Sequence, residues 1–82
     1  MDLHPKPPLA DIIRGARLRR GWTQVEMARR CGVSQPNVAQ WESGNPGPDT
    51  LAKVAAAMGI TVDELLTEGV LTRQAARARG GA

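Results

Sequence analysis

The chain has 82 residues, a net charge of +3 and a pI near 10.0, room for one small domain that buries only about 60% of the surface its unfolded chain exposes. Trp22 and Trp41 are the whole aromatic content, so the core must be built from aliphatic residues, Met and Ala. The lone Cys31 excludes an internal disulfide, one Cys and one His exclude a structural zinc cluster, and the basic balance suits a polyanionic partner or simple solubility.

Residues 1–8, MDLHPKPP, contain three prolines and no apolar core of a signal peptide, and predict an irregular arm in which His4 is solvated. The longest apolar run, VAAAM, is too short to span a bilayer, so no membrane association and a cytoplasmic location are expected. Leu9, Ile12, Ile13 and Ala16 recur at helical spacing and predict a first helix ending near Gly21. Gly15 inside it reads as a tolerated surface glycine. Thr23 and Glu26 form a capping-box pattern that opens a second helix, stopped at Gly32. Ser34 is the expected cap of a third, with Pro36 early enough that its missing N–H does no harm. Pro48 suits the first position of a fourth helix, which stops at Gly59. Thr61 and Glu64 repeat the capping box and open a short fifth helix through Leu66 or Thr67. No segment alternates with period two, so the fold class is all-α. The expected organisation is an arm at 1–8, a domain at 9–67 and a flexible or partly helical basic tail at 68–82. The tail arginines Arg73, Arg77 and Arg79 read as a solvated chain end, because nothing fixes their position.

Two helices joined by only three residues must cross steeply, which calls for a small residue at their contact and a glycine in the turn. Ala28 and Gly32 supply these, and Val33, Val38 and Trp41 supply apolar contacts. On a helical wheel, Val38, Trp41 and Glu42 share one face; Pro36, Gln40 and Ser43 lie opposite, flanked by Asn37 and Ala39, with Gln35 at the N-terminal end. That outward face is uncharged and rich in amides. An amide donates and accepts together, matching the N6 and N7 edge of adenine in the major groove. The helix N-terminus adds partial positive charge toward phosphate, and no carboxylate falls between Glu26 and Glu42. Trp41 is expected in the core and Cys31 as a small buried hydrophobe, while Arg29 and Arg30 with Glu26 read as an ordinary solvated face.

The segment GWTQVEMARRCGVSQPNVAQWESG resembles the helix-turn-helix of the phage-repressor-like family of regulators, the Cro/C1 or XRE type. The similarity runs from about Leu9 to Leu66 and includes RGWTQ, WESG, TLAKVAAAMGI and VDELL. It implies a compact five-helix, lambda-repressor-like domain that binds double-stranded operator DNA, usually as a homodimer, with its third helix in the major groove. Carried over by position, Gln24 would contact phosphate and brace the third helix, and Gln35, Pro36, Asn37 and Gln40 would face bases. Thr23 and Asn45 fall near backbone-contacting positions, and Ser34 and Ser43 border the same surface. Arg17 and Glu42 resemble a family pair that forms a shielded salt bridge, Arg17 being a candidate phosphate contact as well. The chain departs from the pattern at Pro36, which offers a base only an apolar surface. Ala16 stands where a larger aliphatic is usual, Trp22 where Leu is usual, and the loop SGNPGPD has no basic residue.

The apolar residues Val62, Leu65, Leu66, Val70 and Leu71 exceed what a small core needs and predict a two-fold contact through the C-terminal helix region. The implied function is sequence-specific DNA binding by a transcriptional regulator, a repressor or an antitoxin-like autoregulator. A helical protein-interaction or co-activator module with an unknown protein partner is the alternative. No set of nucleophile, base and paired carboxylates points to an enzyme, and no cofactor is expected.

Overall fold

The computed structural model describes residues 8–44 and 46–70. Helices α1 (Leu9–Arg19), α2 (Gln24–Cys31), α3 (Gln35–Ser43) and α4 (Pro48–Met58) are followed by α5 over residues 62–70, and no strand occurs among the described residues. This is the five-helix, all-α architecture expected. Asn45, Leu71 and the tail arginines lie outside the described residues.

Local chemistry starts and stops most of these helices where expected. The Glu26 N–H donates to Thr23 Oγ1 at 3.0 Å. At Thr61 both halves of the box close, the Glu64 N–H on Thr61 Oγ1 and the Thr61 N–H on Glu64 Oε1, each at 3.0 Å. Ser34 is a correction. It occupies the N-cap of α3 with extended backbone, but its hydroxyl caps nothing. An N-cap oxygen serves the N–H of the second or third helical residue. The second here is Pro36, which has none, and the third, Asn37, donates to the Ser34 carbonyl at 3.1 Å.

Every helix contributes to one core, in which Ile13, Met27, Val38, Val54 and Leu65 are fully buried and Ala16 and Ala28 fill the tight places. Trp22, Trp41 and Cys31 pack against it only partly buried, so Trp41 and Cys31 sit nearer the surface than the sequence suggests. Burial still pushes the Cys31 thiol up, with the Lys53 charge pulling weakly the other way.

The last helix differs from expectation. It is still helical at residue 70, the last residue described, rather than ending at Leu66 or Thr67. Two long-range contacts hold the added turn on α1. Glu68 Oε1 accepts from Arg19 Nη2 and Arg20 Nη1, both at 2.7 Å, while Arg20 Nη1 also donates to the Ala16 carbonyl at 2.9 Å. At Gly69 a Cβ would lie 3.0 Å from Ile12 Cγ1, so the backbones approach as they do because that residue has no side chain. At Gly15, by contrast, a Cβ would meet only the side-chain end of Arg19, at 3.1 Å. The apolar surplus assigned to a dimer contact mostly closes the monomer instead: Leu65 is fully buried, Val62 and Leu66 pack against the core, and Val70 alone among the described four is exposed.

Hydrogen bonding from Arg20, reinforced by Arg19 and opposed by burial, holds the Glu68 carboxyl below its ordinary range. A carboxylate with a depressed folded-state pKa contributes stability above the unfolded pKa of about 4.3, and loses it as pH falls through the folded-state value. Glu68→Gln should therefore lower stability by about 1 kcal/mol at pH 7, a melting shift of about 4–8 °C for a domain this small. The two proteins should converge as pH falls below 4. A melting difference that stays constant from pH 7 to pH 3 would count against the ion pair as its source.

Candidate nucleic-acid interface

Between α2 and α3 the chain turns in three residues. Gly32 adopts φ 71°, a left-handed conformation that costs glycine nothing and a branched residue a great deal. Its N–H and that of Val33 return to the carbonyls of Arg29 and Ala28, closing the helix end in a Schellman-type arrangement. Ala28, 4% exposed, is the small residue that lets α2 and α3, the most extensively packed pair among α1–α4, cross closely.

A continuous polar chain then fixes α3. Arg17 Nε donates to Glu42 Oε2 at 2.7 Å and Nη2 to Glu42 Oε1 at 3.0 Å, while Nη1 donates to the Trp22 carbonyl at 2.9 Å. The two side chains are 11% and 5% exposed, a bidentate and nearly dry pair. Glu42 Oε1 also accepts from Gln24 Nε2 at 3.3 Å, and Gln24 Oε1 accepts from Gln35 Nε2 at 2.7 Å. An ionised carboxylate can only accept, so it turns the Gln24 amino group inward. The Gln24 carbonyl then faces Gln35, which keeps its own carbonyl oxygen and one amino proton uncommitted. No buried side-chain nitrogen or oxygen among the described residues lacks a partner.

This network brings together α1, the α2 N-terminus and both ends of α3. Of the residues singled out by sequence, Pro36, Asn37, Gln40 and Ser43 are exposed, Gln35 is half-buried by its bond to Gln24, and Val38 is fully buried. Gln40 has only its backbone engaged, its carbonyl accepting from the Gly44 N–H at 2.8 Å. Thr23 is exposed at the head of α2, although its hydroxyl already accepts from Glu26. Ser43 Oγ donates to the Ala39 carbonyl at 2.9 Å, so its only proton is not free for a phosphate. Arg17 lies behind this surface, closed in by Glu42 and Trp22, and does not reach solvent as a phosphate contact would require.

Three features were not foreseen. Arg30, in the last turn of α2, lies over the Trp22 ring, 4.4 Å from its centroid. Its partner is a ring in the preceding turn, which no helical spacing reveals. Gly44 is required because a Cβ there would sit 2.9 Å from the Gln40 carbonyl oxygen. On the far flank of α3, Asn37 and Trp41 face Thr50 and Lys53 of α4 across a cleft of about 220 Å³, below the roughly 300–1,000 Å³ of ordinary small-molecule sites.

The profile of the helix-turn-helix family matches residues 13–65; the chain belongs to this family, in its Cro/C1 or XRE type. It is similar to a protein of Neisseria meningitidis serogroup B described as a hypothetical transcription factor, with 37% identity over 60 residues, 71% of this chain and 57% of that protein. The chain thus spans little more than half of that relative's length. Two crystal structures resemble it at 30% identity and a TM-score of 0.60. One is the hypothetical transcription factor NHTF from Neisseria, covering 80% of this chain and 83% of its own. The other is the clp gene regulator ClgR from C. glutamicum, covering 79% of this chain and 91% of its own. Among the described residues no helix is long and apolar enough to cross a membrane.

Proposed function

We propose that residues 9–70 form a sequence-specific, double-stranded DNA-binding domain of a transcriptional regulator, acting as a repressor that reads the major groove with α3. The observation that carries this is the uncharged row of Gln35, Asn37 and Gln40, presented on a helix that the Arg17–Glu42–Gln24 chain holds rigidly in place. Rigid presentation matters because bidentate recognition of a base edge is worth about 1–3 kcal/mol only when both bonds align. A helix of nine residues is about 13 Å long and with its side chains fits a groove about 12 Å wide. In this mode Gln24 directs its remaining amino proton to a phosphate, as Thr23 and Asn45 direct their polar groups, and Pro36 lies against a thymine methyl. Arg17 and Glu42 position the reading helix without touching DNA. Two copies, joined through the C-terminal helix region where Val70 is exposed, would place half-sites about 10 bp or a multiple of it apart. Support also comes from the descriptions of the similar proteins, a hypothetical transcription factor from Neisseria and the clp gene regulator ClgR.

Selection from a random duplex library with the full chain tests this. The expected product is one near-palindromic consensus whose half-sites contain positions strongly preferring one base. Enrichment of no sequence over the starting library would remove the DNA-reading function and leave a protein-interaction module.

A further inference from the structure

We propose that Lys53 of α4 is a DNA-binding residue, which holds a backbone phosphate at the cleft between α3 and α4, on the strand opposite the one met by Gln24 and Thr23. The inference rests on the reading of α3 given above and adds the contact on its second side. A helix lying in the major groove has a phosphodiester backbone along each flank, and the groove is only about 12 Å wide. The two flanks of α3 differ. On its wheel Gln35 and Glu42 stand on one, the side bonded to Gln24. Asn37 and Trp41 stand on the other, and Pro36 and Gln40 project between the two. The head of α2 therefore serves one backbone. Facing Asn37 and Trp41 across the cleft of about 220 Å³ are Asp49, Thr50 and Lys53, so α4 is what meets the other.

Lys53 has the chemistry for that place. It is exposed, and no hydrogen bond or ion pair engages it among the described residues. Its charge is felt by the Cys31 thiol at the end of α2, which sets the ammonium toward the turn between α2 and α3. A lysine ammonium is a point charge that binds phosphate without demanding one orientation. The other cations of the folded body are placed differently. Arg17, Arg19 and Arg20 are tied to carboxylates, and Arg30 lies on Trp22. Arg14 and Arg29 are exposed, but on the sides of α1 and α2 turned away from the core, and neither lines the cleft. Asp49 opposes the contact, because its carboxylate lines the same cleft one turn before Lys53. It sits in the first turn of α4, where the helix dipole offsets part of its charge. A phosphate there is attracted by one side chain and repelled by the other, which gives two substitutions of opposite sign.

The test pairs substitutions in the full chain with phosphate neutralisation on the library-selected operator. Each phosphate in and beside one half-site is replaced in turn by an uncharged methylphosphonate, and affinities are read by fluorescence anisotropy. At one phosphate the parent should lose affinity and Lys53→Gln should lose nothing further, while Arg14→Gln and Arg29→Gln stay as sensitive there as the parent. That phosphate should lie on the strand across the groove from those at which Gln24→Ala shows the same non-additivity. One lost contact makes the slope of log affinity against log salt shallower by about 0.9, so the deficit of Lys53→Gln should shrink about 3.5-fold between roughly 50 and 200 mM NaCl. Lys53→Arg should restore both the affinity and the slope, and Asp49→Asn should strengthen binding. Thermal melts of all these proteins should coincide, because the substituted side chains at 14, 29, 49 and 53 are exposed. Additive losses for Lys53→Gln at every phosphate, a deficit independent of salt, or unchanged or weaker binding by Asp49→Asn would overturn the proposal. It would fall alone where Gln40→Ala still loses base preference, which keeps α3 as the reading helix. A selection that yields no operator would overturn both.

Discussion

Arg17→Ala should cost the fold about 3–5 kcal/mol, the penalty for leaving a buried charge without its partner. The Glu42 carboxylate, 5% exposed, would retain only the 3.3 Å bond from Gln24, and the Trp22 carbonyl would lose its donor. Marginal stability for a chain of 82 residues is about 4–12 kcal/mol, so the variant should stand close to unfolding at room temperature. Urea titration at low temperature measures the loss directly. Arg17→Lys keeps the charge but not the planar fork that engages both carboxylate oxygens, and should fall between the two.

The cost belongs to the broken pair and not to the absence of a salt bridge, which a double replacement separates. Buried ion pairs exchanged for apolar residues of similar volume are often neutral or even stabilising. Arg17→Met combined with Glu42→Leu should therefore regain most of what Arg17→Ala loses. The coupling between the two positions should exceed about 1 kcal/mol, as is usual for residues in one network. An Arg17→Ala protein within about 1 kcal/mol of the parent would mean the pair is effectively solvated. If the double replacement were as unstable as the single one, the position would be needed for its shape.

Much of this fold is written locally. The two Thr–Glu boxes, Gly32 and Gly59 act within four residues of themselves, and the helices they bound lie where the pattern puts them. The Arg17–Glu42 pair was visible only through family resemblance, since 25 positions separate its members. Features set by distant contacts were not visible at all. The continuation of α5 past Thr67 depends on Glu68 meeting Arg19 and Arg20 across 48 or 49 positions, and on Gly69 settling against Ile12; locally, a glycine there reads only as a helix breaker. Periodicity likewise showed an apolar face on α5 without showing that the monomer's own core covers it. At Ser34 the residue type was right for a cap, but the proline two positions on removed the N–H it would have bonded. The surface of α3 was the most legible part of the candidate site, because exposure on a short helix follows from its wheel once Val38 is buried.

Gln40→Ala should weaken binding to the selected operator by about 1–3 kcal/mol and relax preference at one base pair. Its side chain is exposed and takes no part in the bonds that hold α3; only its backbone carbonyl does, and alanine keeps that. Stability should consequently change by no more than about 0.5 kcal/mol. Gln35→Ala makes a useful contrast, because it also strips Gln24 Oε1 of its donor. It should lose preference at its own base and in addition some affinity common to all sequences, through a less firmly held Gln24. Arg17→Ala, acting through position alone, should weaken every sequence alike. Melting temperatures and affinities for all single-base operator variants distinguish the three patterns. Should Gln40→Ala depress binding to every variant equally, or unfold the domain, the outward face of α3 would not be the surface that reads bases.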